Sequence, residues 1–136
     1  MVHLIVGKKG TGKTKSLLDR VHQAVENEHG NIVFINRGAR HMFDLSHAVR
    51  MIDAEELGID TFCAFEGFIK GILSQNYDIT HIFVDSLFKI VRDEYAALPE
   101  FISRLEKIAA GNSLSFTITI SADRTELPDA VEEYIA

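Results

Sequence analysis

The sequence predicts an α/β fold: a three-layer arrangement with a mainly parallel β-sheet of about four to five strands, flanked by helices. Three observations carry this expectation. Short apolar runs alternate with helix-period segments along the whole chain, the order that yields parallel strands joined by helical crossovers. The length of 136 residues fits one domain, residues 1–136, with enough interior for a core. The composition, 46% hydrophobic and 25% charged, is that of an ordinary globular protein, not a disordered or fibrous one.

Each element has its own reason. Residues 2–6 form an apolar run that stops at Gly7, as a buried strand does. Residues 12–28 then place Leu17, Leu18, Val21, Ala24 and Val25 at helical spacing, with Gly30 suited to end that helix. Residues 31–35 read as a second strand, and 49–52 as a short third one within the ambiguous stretch 36–59. Asp60 or Thr61 can cap a helix running to about Gln75, with Phe62, Phe65, Ile69, Ile72 and Leu73 inside. Residues 82–84 are a strand ending in Asp85. A helix over 98–110 starts near Pro99 and is expected to stop at Gly111. Residues 115–120 alternate Phe116, Ile118 and Ile120 with polar residues, a strand pattern. A last helix is expected over 128–135.

Charge and cysteine content exclude several classes. The formal charge is −6, which argues against a general nucleic-acid coat or a basic membrane-surface protein. One cysteine, Cys63, excludes an internal disulfide and a multi-cysteine zinc site. The opening residues lack a signal-peptide core, and no apolar stretch approaches the ~20 residues of a membrane span. A cytoplasmic location is therefore expected. The average charge hides two unlike halves: residues 1–50 carry eight Lys/Arg and four Asp/Glu, whereas residues 51–136 carry six and sixteen.

The basic half contains the most informative segment. Gly7-Lys8-Lys9-Gly10-Thr11-Gly12-Lys13-Thr14 satisfies the pattern G-x-x-x-x-G-K-[ST] between a strand and a helix. Glycines allow backbone N–H groups to turn toward phosphate oxygens, and the helix start adds its own free N–H groups and positive dipole end. Lys13 is placed to reach the β- and γ-phosphates of a nucleotide, and so to act on the reacting phosphate. The Thr14 hydroxyl is an oxygen ligand of the kind Mg²⁺ prefers. Lys8, Lys9 and Lys15 strengthen the positive field there.

With that segment, the chain resembles the P-loop NTPase superfamily. Its second hallmark, an apolar strand ending in an acid, is matched by His81-Ile82-Phe83-Val84-Asp85. The resemblance implies ATP and Mg²⁺ as ligands, with Asp85 holding the metal through a water. ATP is the default nucleotide because no N-K-x-D-type guanine segment is present; Ser121-Ala122-Asp123 does not replace it. Many ATP-hydrolysing relatives carry a glutamate after the strand-ending aspartate, whereas this chain has Ser86. Asp53, Glu66 and Glu94 are the substitute bases to consider, though none has the matching position. Ser121 sits where many relatives carry a polar γ-phosphate sensor, which favours the class with an extra strand between the two motif strands.

Lys8, counted back from Gly12-Lys13-Thr14, occupies the extra-lysine position of the partition and septum-site ATPases, where that lysine reaches the partner subunit's nucleotide; Lys9 departs from their pattern. The likeness leaves room for a homodimer or a protein partner. Over nearly its full length the chain also resembles a family of small P-loop proteins of Gram-positive bacteria, some labelled twitching-motility ATPases. The matching segments are LIVGKKGTGKTK, GFIKGIL, YDITHIFVDSL and ISADRTELPDAVEEYI. Three activities follow as expectations: slow ATP hydrolysis, raised by a partner or dimer mate; a non-catalytic nucleotide switch that orders a loop within 36–60; and a small-molecule kinase.

Other features have plainer readings. His41, Asp44 and His47 cluster loosely, and surface placement is expected. Arg37, Arg40 and Arg50 are too scattered for a kinase lid. Gly67 and Gly71 are expected to permit close packing on the sheet or a partner, and Cys63 to be structural.

Overall fold

The computed structural model describes residues 1–38 and 45–135. Five strands, β1 (Val2–Gly7), β2 (Asn31–Asn36), β3 (Val49–Asp53), β4 (Ile79–Val84) and β5 (Ser115–Ser121), form one sheet in the order β1-β5-β4-β2-β3. Every pairing is parallel, as expected of strands separated by helices. β5 lies between β1 and β4, so the extra strand does separate the two motif strands.

Among the described residues, four helices flank the sheet: α1 (Lys13–Asn27), α2 (Phe62–Gln75), the single turn α3 (Leu87–Ile90) and α4 (Leu98–Asn112). Leu17, Val21 and Ala24 of α1 pack on Ile32, Phe34, Val49 and Phe83 of one sheet face. On the other face, Val33, Ile35, Ile82, Val84, Ile118 and Ile120 meet Phe65 and Ile69 of α2 and Phe101, Ile102 and Leu105 of α4. Phe62 and Phe101 stack at 4.2 Å between ring centres and lock α2 to α4. Because strand side chains alternate between faces, odd residues of β4 from His81 onward, past a register shift at its start, and odd residues of β5 look toward α1. This parity governs the site below.

Several expectations change. α1 ends at Asn27, and Gly30 does not serve as its cap. A Cβ on Gly30 would lie 2.0 Å from Thr80 Cγ2 and 2.5 Å from the Asp78 carbonyl oxygen; that close approach is why the position has no side chain. Thr61 is the α2 cap, its hydroxyl accepting from Ala64 N at 3.1 Å. α4 runs past Gly111 to Asn112, and Ser113 adopts the left-handed conformation (φ 52°). β4 begins at Ile79, three residues earlier than its apolar triplet suggests. The last helix is a 3₁₀ segment, Asp129–Tyr134. Its Val131 is buried, and Ile135 bridges Leu4 on the outer edge of β1. Open space surrounds Gly67 and Gly71, so neither mediates close packing. Arg40, His41 and Asp44 lie outside the described residues; His47 and Cys63 are exposed. Among the described residues, no helix is long and apolar enough to cross a membrane.

Candidate nucleotide site

The loop between β1 and α1 has the backbone its glycines permit. Gly10 and Gly12 adopt φ +85° and +82°, a region open to glycine and strained for other residues. Gly7 is required by space: a Cβ there would stand 2.7 Å from Thr11 Oγ1. The loop folds over itself, with Thr11 Oγ1 donating to the Lys8 carbonyl at 2.8 Å. Lys13 Nζ donates to that same carbonyl at 2.8 Å and to Thr11 Oγ1 at 3.4 Å. The ammonium is thereby fixed at the loop.

α1 begins immediately at Lys13, with Gly12 as a cap that offers no side-chain acceptor. Its first turn holds no acid and instead carries Lys13 and Lys15. Cations at a helix N-terminus oppose the macrodipole, and unfilled N–H groups add to the positive field. An anion there would relieve both, so this local conflict is itself a binding signal.

Lys9, Gly10, Gly12, Lys13, Thr14 and Lys15 line a cleft of about 250 Å³, together with Ser86, Lys89 and Ser121. The structure thus brings most of the expected loop residues to one cavity. Gly7 and Thr11 do not line it, and Thr11 Oγ1 instead ties the Lys8 carbonyl to Lys13. Lys8 turns away: its ammonium lies 3.5 Å from Asp123 Oδ2 in an exposed pair, and this contact with Lys8 is among the influences that lower the Asp123 pKa, after its hydrogen bonds to Thr125. Lys8 therefore has a partner within its own chain.

Asp85, at the end of β4, is 1% exposed and faces α1 by strand parity. Thr14 Oγ1 donates toward its carboxylate at 3.3 and 3.4 Å. Thr119 Oγ1 donates to Asp85 Oδ1 at 2.9 Å and accepts Ser86 N at 2.7 Å. Ser86 takes φ 56°, a strained conformation for a residue with a Cβ, and so turns the chain sharply from β4 into α3. Its hydroxyl lies 3.5 Å from Asp85 Oδ1. β5 makes this possible: Gly7 pairs with Ser121 and Val84 with Ile118, which sets Thr119 beside Asp85 and Ser121 beside the loop.

A hydroxyl and a buried carboxylate in apposition suit Mg²⁺, a hard cation that keeps waters and phosphate oxygens among its ligands. No group of three or more His, Cys, Asp or Glu able to hold a metal occurs among the described residues. The donor set is thus one that a phosphate and waters would complete. Thr14 and Asp85 are the residues that would hold it.

The substitute bases are elsewhere. Asp53 Oδ1 accepts Gly38 N at 2.8 Å and Glu55 N at 3.0 Å, holding the turn after β3. Glu66 pairs with Lys70 and Arg104 on α2 and α4, and Glu94 is exposed before α4. Sequence reasoning missed Thr119 and Lys89. Thr119 looked like the polar half of an alternating strand, and Lys89 belongs to a helical turn of only four residues.

Comparison with known proteins agrees with the fold. No protein-family model matches the chain, and no curated protein matches it. Among solved structures, the KaiC-like protein of the hyperthermophilic archaeon Pyrococcus horikoshii superposes with a TM-score of 0.66 at 17% identity. The match takes in 98% of this chain and 66% of that one, so this chain spans just under two thirds of its neighbour. The likeness is one of fold: a parallel α/β domain flanked by helices.

Proposed function

We propose that this chain binds ATP with Mg²⁺ in the cleft at the N-terminus of α1 and hydrolyses it slowly, in the cytoplasm. The observation that carries the reading is the convergence of the glycine-turned loop, Lys13 and the Thr14–Asp85 pair at one helix start. Loop N–H groups and Lys13 would neutralise the β- and γ-phosphates, while Thr14 and Asp85 would hold the metal. Bound Mg²⁺ supplies charge neutralisation of the phosphate oxygens. Hydrolysis transfers the γ-phosphoryl group to a water oxygen, breaks the bond to the ADP oxygen, and releases one proton. Ser86 stands where a carboxylate base would follow Asp85, so turnover is expected to be slow alone and to rise with a protein partner or a second copy.

Phosphate release by wild type and Lys13→Ala tests this. Release abolished in the variant supports hydrolysis at this loop; release that persists sinks it. Two observations favour other uses of the same site. The missing acid favours a nucleotide switch, expected to bind ATP without release and to change oligomer size with it. A cavity of about 790 Å³ lined by Arg37, Asp60, Lys89 and Arg92 shares Lys89 with the phosphate cleft, which favours a small-molecule kinase. That reading requires ADP formation to depend on an added acceptor.

A further inference from the structure

Asn36 closes β2. Its side chain is 1% exposed, and neither carboxamide atom has a hydrogen-bond partner among the described residues. A buried amide with nothing bonded to it is unusual and costly, and it calls for an explanation. An apolar residue would fill the position without that penalty, as Ile32 through Ile35 do along the same strand.

Strand parity and register locate this amide. Ile32 and Phe34 pack toward α1, and Val33 and Ile35 toward α2 and α4, so Asn36 faces α1. On β4, Phe83 faces α1, and Asp85 follows it. Ile35 pairs with Val84, and Asp85 N donates to the Ile35 carbonyl at 3.0 Å. Asn36 and Asp85 are therefore lateral neighbours on one sheet face, with backbones about 5 Å apart. The nearby polar groups are already engaged: Thr119 with Asp85 and Ser86, and Asp53 with the turn after β3. Asn36 keeps both a donor and an acceptor beside the Thr14–Asp85 pair.

We propose that the Asn36 carboxamide holds a water molecule against the γ-phosphate of bound ATP and so distinguishes ATP from ADP. This rests on the nucleotide reading above. The amide oxygen accepts a hydrogen bond from the water, and the amide N–H donates to the phosphate. A carboxamide cannot take up a proton at neutral pH, so it orients the water without activating it, in keeping with slow turnover.

Calorimetric titration of Mg²⁺–ATP and Mg²⁺–ADP into wild type and Asn36→Leu tests the assignment, alongside thermal unfolding of the ligand-free proteins. The expected result is an ATP affinity weakened about 10-fold in the variant, with ADP affinity within about two-fold, the loss of a single hydrogen-bonding group. The ligand-free variant should unfold at the wild-type temperature or above it, since an apolar side chain replaces an unpartnered amide. A lower unfolding temperature with equal loss for both nucleotides would make the amide structural and overturn the proposal. Should leucine overpack the position, Asn36→Ala carries the same ATP-against-ADP comparison. Unchanged ATP affinity in a folded variant overturns this inference alone. A wild-type protein that binds neither nucleotide overturns the reading of the site and this inference with it.

Discussion

Two polar clusters lie on the α1 face of the same sheet, one at each end of the strands, and they are built on opposite terms. At the N-terminal end, Glu28, Thr80, His81 and Thr117 satisfy one another. Glu28 accepts from His81 Nδ1 at 3.0 Å and from Thr80 Oγ1 at 2.8 Å, and His81 Nε2 meets Thr117 Oγ1 at 2.8 Å. The Glu28 carboxylate can only accept, so Nδ1 carries the proton and the neutral ring's Nε2 accepts from Thr117. The imidazole also stacks on Phe83 at 4.0 Å. Nothing there needs a ligand, although His3, Arg20 and His81 line a small cleft.

The C-terminal end is organised differently. Gly10, Gly12 and Ser86 hold left-handed backbone, lysines crowd a helix N-terminus, and Asn36 buries an amide with no partner among the described residues. A satisfied polar cluster joins α1 to the sheet, whereas the one with strain and open valence is where we propose an anion and a cation bind. Polarity alone does not separate the two; the hydrogen-bond accounting does.

The sharpest break in this contrast comes from the two ends' threonine partners. Asp85→Ala should weaken Mg²⁺-dependent ATP binding by about 10- to 100-fold, the loss of a charged hydrogen-bonding group, measured by titration with and without Mg²⁺. Thr117→Val should leave ATP affinity unchanged and lower unfolding stability by about 1–3 kcal/mol, because His81 Nε2 loses its partner in a buried site. Urea denaturation reads that loss. A Thr117→Val protein that binds ATP poorly would erase the distinction between the ends.

The histidine end also predicts a pH dependence. Burial pushes the His81 pKa below its ordinary value of 6.5, although the Glu28 carboxylate pulls it upward. Below about pH 6.5, the unfolded chain takes up a proton that the folded chain resists. Stability should therefore fall as pH drops from 6.5 toward the lowered folded value, and hold steady above it. His3 and the N-terminal amine also disfavour the charged ring. Denaturation midpoints at pH 8, 6.5 and 5.5 check this, and a His81→Gln chain should show a shallower slope. Midpoints that rise on acidification would refute it.

The smallest expected effect lies away from both clusters. Gly67→Ala on α2 meets nothing within 4 Å, so it should stabilise the chain by up to about 1 kcal/mol through helix propensity. A loss on substitution would show that this exposed helix face is occupied in solution.

The same contrast marks what was legible in sequence. The β1–loop–α1 unit is local, and its glycine and lysine spacing can be read directly. Asp85 was legible because an apolar strand precedes it. A mainly parallel sheet followed from alternation of elements, and Ser121 was read just past the last strand, of which it is the final residue. Thr117 and Thr119 were not legible in role. Their alternation with Phe116, Ile118 and Ile120 suggested an inner and an outer face, but both are buried. Their hydroxyls are satisfied by residues 34 to 36 positions away in sequence, which no local pattern reveals. Asn36 fell just past the strand read over 31–35, in the ambiguous stretch 36–59, and its role depends on strand order, which no local pattern reveals. Asp129–Tyr134 carried helical spacing over too few residues to separate a 3₁₀ from an α-helix.

The central claim is that the open-valence end binds the phosphates of a nucleotide, and Lys13 is its most exposed test. Titration of Mg²⁺–ATP into wild type and Lys13→Ala, with both shown to be folded, measures it directly. The account predicts an affinity about 10- to 100-fold weaker in the variant, the loss of one charged hydrogen-bonding group. Equal affinity for the two proteins would contradict it.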